Sequence, residues 1–458
     1  MTANKRIVLA GAIGNVVEWY DFGLYGLLAP VLASQFFPSH DRIAALLGVY
    51  GGFAVGFAVR PVGAVVLGRV GDRRGRKFVL VLSVVLMGAA TVGIGVLPSY
   101  AAIGIGAPIL LILIRLFQGF SVGGEFVGSV TYLVETAPAN RRGLAGSVAN
   151  IGATIGMLIA AGAAALTAAQ ADVHELWRLA FFFGGVLALV GYVLRRHLPR
   201  EELEIEAERD LSRTVTGKPT LRDAAVMTPR SSRFGAFVAR WPALQAFREV
   251  PQTMWVALLF TGGYGVSNYV IMIFLPTFAR EFSNVNEAAA LQINTIGQAL
   301  VLFVAPFAGW ASDRFLRRRT MLALAFAAQA AVSWISFRVV AHSGVAGLWI
   351  AQLVLAALLA VVMGTAPAML AEQFPRGYRV SGHAFVLNVG IGIAGGTAPM
   401  IAVALIDATG SRMAPAAYLI AGCALSAVAV LFLRDRSRTT LDDDPAHLQS
   451  HAQTFADV

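Results

Sequence analysis

Two carboxylates lie in the middle of the first long apolar segment of the sequence. Glu18 and Asp21 are three residues apart within GNVVEWYDFGLYG, residues 14–26. An acid at membrane depth costs at least ~2.5–3.5 kcal/mol on insertion scales, so acids kept there usually handle protons or substrate. Helical spacing places both on one broad face with Asn15 and Tyr25, which predicts that the two carboxylates point into a shared cavity. The alternative is that one acid only makes a fixed structural pair.

Two basic residues and a third acid also fall inside apolar segments. Arg115 opens the string RLFQGFSVGGE and Glu125 closes it, ~15 Å further along a helix at 1.5 Å per residue. Glu125 either binds a proton or holds a hydrogen bond to a neighbouring helix. Arg60 can bind a carboxylate bidentately, or it can extend to the membrane surface and brace the next loop. The sequence leaves these alternatives open.

The composition assigns these residues to a membrane protein. The 458 residues are 57% hydrophobic and only 14% charged, and the mean hydropathy of +0.69 lies outside the range of soluble domains. Apolar stretches of roughly 20 residues or more recur along the chain, each long enough to cross a hydrocarbon core of about 30 Å. We predict an all-α membrane protein with twelve transmembrane helices. They span residues 7–36, 42–68, 78–98, 104–136, 142–169, 175–196, 252–278, 288–311, 320–340, 346–373, 381–407 and 414–433.

The charges indicate topology rather than a surface for polyanions. The formal net charge is +10, but most of the 36 Lys and Arg fall in alternate connections, as the positive-inside rule predicts for cytoplasmic loops. We therefore expect both termini in the cytoplasm and no nucleic-acid partner. The first apolar run is too long and too interrupted for a cleaved signal peptide, so we expect it to remain as the first helix.

Few groups could support enzyme chemistry. Cys423 is the one cysteine of the sequence, which excludes an intrachain disulfide and a cysteine metal cluster. The glycine-rich strings lie inside predicted spans rather than after strands, so they are not phosphate-binding loops. We expect no enzymatic activity, no cofactor and no metal. A lone histidine near the start of the eleventh span, His383, is interpreted as structural.

The sequence carries an internal repeat. Residues 68–77 after the second span (GRVGDRRGRK) and 309–318 after the eighth (GWASDRFLRR) both hold a Gly, then Asp-Arg, then further basic residues. A second match follows the fourth and tenth spans, where Glu135, Pro138 and Arg142 have the spacing of Glu372, Pro375 and Arg379. Two matches at corresponding places indicate a duplicated six-helix unit around a midplane site, which is an architecture of secondary transporters.

This duplication predicts four regions. A six-helix bundle covers 1–196, a cytoplasmic linker with an amphipathic helix at 199–206 covers 197–250, a second six-helix bundle covers 251–433, and a cytoplasmic tail covers 434–458. Charged residues in the cytoplasmic turns are predicted to form a gate that holds the bundles together on that side. The predicted gate residues are Asp72, Arg73, Arg76, Glu135, Arg142, Asp313, Arg317, Glu372 and Arg379.

Several of these motifs resemble a known family. The two repeated turns resemble the loop signature of the major facilitator superfamily. The strings GNVVEWYDFGLYG, Arg60-Pro61-Val62-Gly63 and RLFQGFSVGGE together resemble its metabolite:proton symporter family, which includes permeases for 2-oxoglutarate, citrate, shikimate and proline/betaine. The resemblance implies the major facilitator fold, two pseudo-symmetric six-helix bundles that work by alternating access. In proton-coupled sugar porters with a similar helix-4 motif, a helix-1 acid pairs with the helix-4 arginine, which implies that Asp21 or Glu18 pairs with Arg115.

We therefore predict a proton-coupled symporter of the bacterial inner membrane that imports a small organic acid, such as a di- or tricarboxylate, and works as a monomer. The tail has no long heptad pattern, unlike the osmosensing proline/betaine type, which disfavours a zwitterionic osmolyte as the alternative solute. A metabolite sensor without transport is the alternative from another class. The proton is assigned to Asp21, Glu18 or Glu125, with Asp21 preferred over Glu18. The predicted substrate-binding residues are Arg115, Arg60, Asn15, Tyr25, Gln118, Tyr264, Asn268, Gln298 and Asn388.

Overall fold

A computed structural model describes most of the two predicted bundles. It covers residues 3–37, 41–121, 125–169, 175–196, 242–375, 379–437 and 441, with the backbone alone at 3–12, 68, 71–73, 76, 125–126 and 242–245. The predicted amphipathic helix at 199–206 lies outside the described residues. A short helix, Pro242–Glu249, precedes the second bundle, and its Phe247 ring contacts Trp255 and Phe385.

The first half of the chain forms six long helices, several of them interrupted where the sequence disfavours a continuous helix. Pro30 begins the second segment of the first helix after a break at Leu28, since proline fits the first turn of a helix but not its interior. The Asp41 carboxylate caps the second helix by accepting from the backbone N–H groups of Ile43 and Ala44. The helices are α1 (Ala3–Leu27 and Ala29–Phe36), α2 (Arg42–Ala58 and Arg60–Arg74), α3 (Arg76–Val96), α4 (Gly106–Ser121 and Glu125–Thr136), α5 (Arg142–Ala149 and Ile151–Ala168) and α6 (Trp177–Arg196).

The second half forms six more helices. Two contain a wider π-helical stretch, a feature that is frequent at functional sites. Gly344 has φ 55° and ψ −125° and makes the turn between two helices, a conformation that glycine adopts without a steric penalty. The helices are α7 (Pro251–Tyr269, π-helical Val270–Phe274, Leu275–Ser283), α8 (Glu287–Arg314), α9 and α10 (together Arg318–Ala371, divided at Gly344), α11 (Arg379–Val386, π-helical Leu387–Gly395, Gly396–Thr409) and α12 (Ala414–Phe432).

The predicted twelve-helix fold is confirmed. Within the described residues, nine helices are long and apolar enough to cross a membrane, and one of these, Arg318–Ala371, comprises both α9 and α10. Helices α1 and α4, each described in two parts, bring the number of spans to twelve. Most predicted boundaries differ from the observed ones by a few residues, although α2 continues to Arg74 and α7 to Ser283.

The two halves pack on one another through α2 with α11 and through α5 with α8. A Cβ atom added to Gly143 would clash with the carbonyl oxygen of Gly309, so glycine permits the close approach of α5 and α8. We call the end of the molecule at which α2 joins α3, α4 joins α5 and α8 joins α9 the basic face, because the repeated basic turns lie there. The other end is the opposite face.

Candidate substrate site between the two bundles

A cavity lies between the two halves, with walls from α1, α2, α4 and α5 on one side and α7, α8, α10 and α11 on the other. Its surface is largely apolar, with a small set of polar and charged groups, as is typical of sites for small molecules. The described polar and aromatic residues of its wall are Glu18, Trp19, Phe57, Arg60, Asn150, Thr154, Tyr264, Asn268, Gln298, His383 and Asn388.

Glu18 and Arg60 form an ion pair in the wall of this cavity. Arg60 Nη1 lies 3.3 Å from Glu18 Oε1, and both side chains are about nine-tenths buried. The Arg60 guanidinium packs against two adjacent rings, 4.0 Å from the centroid of Phe22 and 4.1 Å from that of Phe57, and these two centroids are 4.7 Å apart. The two cation–π contacts restrict the position of the guanidinium. Its Nε and Nη2 atoms, which form the side-on edge of the fork, have no hydrogen-bond partner among the described residues.

Asp21 belongs to a separate, sealed network. Its Oδ1 accepts hydrogen bonds from Thr91 Oγ1 at 2.6 Å and from Gln118 Nε2 at 2.7 Å. Arg115 Nη1 lies 3.4 Å from Asp21 Oδ2 and also donates to Gln118 Oε1 at 2.7 Å. Asp21 and Arg115 are at most 1% exposed and neither lines the cavity. The pair that the family resemblance implied is therefore present, but as part of the packing between α1, α3 and α4.

The expectation that both carboxylates of α1 share one cavity is corrected by this geometry. Three residues turn a helix by about 300°, so the two side chains point about 60° apart. Glu18 consequently faces α2 and the seam between the halves, whereas Asp21 faces α3 and α4. A difference of 60° is enough to place the two acids in different environments.

The structure divides the remaining predicted substrate residues into two groups. Tyr264, Asn268, Gln298 and Asn388 all line the cavity, and Gln298 Nε2 has no hydrogen-bond partner among the described residues. Three others lie away from the cavity. Gln118 belongs to the Asp21 network, and Asn15 is buried. The Tyr25 hydroxyl donates to the Val49 carbonyl oxygen at 3.1 Å, and the Tyr25 ring packs against the Arg115 guanidinium. The Glu125 side chain lies outside the described residues.

The wall residues that received no substrate role from the sequence include Trp19, Asn150 and His383. Trp19 is adjacent to Glu18, and Asn150 ends the first segment of α5. His383, which we interpreted as structural, is fully buried and lines the cavity. A polar residue within an apolar span was the available signal in each case, but such residues form hydrogen bonds between helices at least as often.

Ion pairs close the cavity on the basic face, and they cross between the two repeats. Glu135 of α4 pairs with Arg379 of α11 at 2.5 Å, and Arg142 of α5 pairs with Glu372 after α10 at 3.6 Å. The acid of each repeat thus meets the arginine of the other. Burial raises the pKa of the Glu372 carboxyl, while the guanidinium groups of Arg318 and Arg142 oppose that rise.

Asp313 adds a second kind of contact at the same gate. Its carboxylate accepts from the backbone N–H groups of Gly143 and Leu144, at 2.8 and 2.9 Å, at the start of α5, where the helix dipole favours an anion. The expectation for Arg317 is corrected: Arg317 is exposed, and the neighbouring Arg318 is the buried partner of Asp313 and Glu372. The side chains of Asp72, Arg73 and Arg76 lie outside the described residues.

Contacts on the opposite face close the cavity from the other side. Arg42 of α2 donates from two nitrogens to the carboxylate of Glu281 of α7, at 2.8 and 2.7 Å. Two turns deeper, the hydroxyls of Tyr50 and Thr277 lie 2.8 Å apart. Because the halves are joined on both sides of the cavity, the structure is in an occluded arrangement.

Two pseudo-symmetric helical bundles around an occluded, mostly apolar cavity define a membrane transporter with the major facilitator fold. Residues 7–441 match the sugar (and other) transporter family, and the chain belongs to it. The D-xylose-proton symporter has the same fold, with a TM-score of 0.68 and 18% identity over 94% of this chain and 97% of that one.

Curated relatives are similar over most of their length. The chain is 31% identical over 445 residues to the glycine betaine/proline/ectoine/pipecolic acid transporter OusA of Dickeya dadantii. The aligned region covers 95% of this chain and 84% of the relative. It is also 31% identical over 437 residues to the ectoine/proline transporter ProP of Corynebacterium glutamicum, with coverages of 94% and 84%. These relatives are named as transporters of zwitterionic solutes, the class that the sequence analysis held as its alternative to organic acids.

Proposed function

We propose that this protein is a proton-coupled symporter that imports a small zwitterionic solute of the betaine or proline type. The observation that carries the proposal is the pair of opposite charges in the cavity wall, Glu18 and Arg60. A zwitterion can meet both charges at once. The solutes named for the two similar transporters, from Dickeya dadantii and Corynebacterium glutamicum, support the same solute class.

The carboxylate end of such a solute fits Arg60. The side-on edge of its guanidinium has two N–H groups without a described partner, and that edge matches the two oxygens of a carboxylate. Phe22 and Phe57 restrict the position of the guanidinium before the solute arrives, so little side-chain entropy is lost on binding.

The cationic end fits Glu18 and the aromatic part of the wall. Trp19, Phe57 and Tyr264 line the cavity, and aromatic faces attract secondary and quaternary ammonium groups through cation–π interactions. A betaine has no N–H group to donate, so its methylated nitrogen is better matched by ring faces and one carboxylate than by a set of hydrogen-bond acceptors.

The charge balance disfavours a di- or tricarboxylate. Among the described residues of the wall, Glu18 and Arg60 are the two with a formal charge at neutral pH, apart from the histidine. Their sum is zero, which matches a zwitterion. A solute with two or three negative charges would be buried with an uncompensated charge, which is costly in a low-dielectric site.

We assign the proton to Glu18 in this proposal, ahead of Asp21. When a solute carboxylate takes Arg60, Glu18 loses that ion pair. The methylated ammonium of a betaine donates no hydrogen bond, so it stabilises the Glu18 carboxylate less than Arg60 did, and the neutral form of Glu18 becomes more favourable. Solute and proton then bind together, and the loaded site carries one net positive charge, because a neutral Glu18 and a zwitterion leave the charge of Arg60 uncompensated.

The proposal places the basic face and both termini in the cytoplasm, following the positive-inside rule, in the bacterial inner membrane. One chain supplies both walls of the cavity, so a monomer suffices for transport. A metabolite sensor without transport has no supporting observation.

Uptake of radiolabelled glycine betaine and proline into proteoliposomes tests the proposal. We expect accumulation when the outside is acidic and loss of accumulation when a protonophore collapses the gradient. Unlabelled betaine should compete and citrate or 2-oxoglutarate should not. Competition by citrate without competition by betaine would instead support the prediction of an organic-acid solute. Accumulation that persists in the presence of the protonophore would refute proton coupling.

A further inference from the structure

His383 is a cavity-lining residue whose imidazole has one nitrogen without a hydrogen-bond partner among the described residues. It lies in the first segment of α11, is fully buried and lines the cavity. Its Nδ1 lies 3.4 Å from Thr131 Oγ1 of α4, in the other half of the chain. Its Nε2 has no hydrogen-bond partner among the described residues. A buried polar atom left in this way calls for an explanation such as a ligand.

The contact with Thr131 allows the tautomer that carries its hydrogen on Nε2. The Thr131 hydroxyl can donate to Nδ1, and a neutral imidazole that accepts at Nδ1 carries its hydrogen on Nε2. The cavity then receives an N–H donor from His383. A carboxylate oxygen is the matching acceptor, and the zwitterionic solutes proposed above carry one.

The position of His383 along the membrane differs from that of Arg60. The Phe57 ring packs against Gly392 and Gly396 of α11, and His383 lies nine residues before Gly392. At a rise of at most 1.5 Å per residue, since part of this interval is π-helical, His383 lies up to about 9 Å nearer the basic face than Arg60 does. At that separation, one carboxylate cannot contact both residues unless the two side chains extend toward each other. The separation suits two binding positions that the solute occupies one after the other.

We propose that His383 forms a second subsite for the solute carboxylate, between Arg60 and the gate on the basic face. This inference rests on the proposed function. Arg379 lies one turn from His383 on α11, and its partner Glu135 lies one turn from Thr131 on α4. A carboxylate held at His383 therefore lies beside the Glu135–Arg379 pair, competes with Glu135 for the cation and loosens the gate.

Two substitutions separate the unpartnered Nε2 of His383 from the Nδ1 that contacts Thr131. His383→Asn keeps a polar group near the Nδ1 position and withdraws the group from the cavity. His383→Gln keeps a donor near the Nε2 position. The two variants are matched in polarity, so a purely structural role predicts similar behaviour for both.

The experiment compares the two directions of glycine betaine transport in right-side-out membrane vesicles. The half-saturating internal concentration for efflux from loaded vesicles reports the subsite on the basic face. For His383→Asn we expect it to rise about fivefold, the effect of one lost hydrogen bond, with the influx KM within about twofold of wild type. His383→Gln should stay near wild type in both directions.

Equal behaviour of the two variants, or an unchanged efflux value in His383→Asn, would overturn the subsite. Should neither variant reach the membrane, Thr131→Val is the second test, because it removes only the hydroxyl that orients the imidazole. Its efflux value should rise by a smaller factor, and no rise would overturn the inference. Absence of betaine and proline influx in the wild type would refute the proposed solute class instead. The same comparison of influx and efflux would then be repeated with citrate as the solute.

Discussion

Arg42 and Glu281 form a bidentate ion pair that joins α2 of the first half to α7 of the second on the opposite face, with N···O distances of 2.8 and 2.7 Å. Glu281 also lies 3.3 Å from Arg280, which in turn pairs with Glu287 at 2.7 Å. The cluster is the counterpart of the crossed pairs on the basic face. Alternating access requires the two sets of pairs to separate in turn.

Reversal of either charge in this pair should reduce transport, and reversal of both should restore it. Arg42→Glu or Glu281→Arg places like charges together, which disfavours the occluded state by about 1 kcal/mol or more for a partly exposed pair. Steady-state betaine uptake should fall in each single variant and recover to at least half in Arg42→Glu/Glu281→Arg. Arg338→Glu, at an exposed position near the same face, is the control and should behave like wild type. Failure of the double variant to recover would show that the pair is not the contact that matters.

Replacement of Arg60 by lysine should weaken solute binding while the charge is kept. Lysine lacks the planar fork and packs less well against Phe22 and Phe57, so KM for betaine should rise about tenfold or more. The maximal rate should change less. Arg69→Lys, on the exposed end of the same helix, is the matched control. An Arg60→Lys variant with wild-type KM would contradict the bidentate carboxylate site.

Neutralisation of the two acids of α1 should have different consequences. Glu18→Gln should abolish accumulation driven by the proton gradient but spare counterflow exchange, because the proton site is lost while the cavity remains. Asp21→Asn should mainly destabilise the protein, by about 3–5 kcal/mol, because Arg115 then stays buried without its counter-charge. Thermal unfolding of the purified variants and paired accumulation and counterflow assays measure the two effects. A stable Asp21→Asn protein that exchanges solute but cannot accumulate it would show that Asp21, rather than Glu18, is the proton site.

Two glycines of α4 should respond oppositely to alanine. A Cβ atom on Gly119 would clash with the backbone carbonyl of Gly56 in α2, whereas Gly128 has open space around it. Gly119→Ala should therefore lower the thermal midpoint and the folded yield. Gly128→Ala should be neutral or stabilising by about 0.5–1 kcal/mol, since alanine favours a helix over glycine. Equal effects at the two positions would show that the α2–α4 contact is looser than described.

The sequence by itself determined the architecture of this protein. Twelve apolar spans, the duplicated basic turns and three motifs were enough to predict the bundles, because hydropathy and span length are properties of each segment alone. The sequence also marked Glu18 and Asp21 as exceptional. The sequence could not predict the partners of these two acids. Helical periodicity defines a face relative to the helix's own axis, but it does not show which neighbouring helix that face contacts.

Only the tertiary structure decided the partners. It turned Glu18 toward Arg60 and the cavity, and it enclosed Asp21 with Thr91, Gln118 and Arg115. It paired Glu135 with Arg379 rather than within its own repeat. Each of these choices depends on how two helices from distant parts of the chain are rotated against each other. That rotation is set by packing over the whole bundle interface, so it cannot be predicted from local sequence patterns.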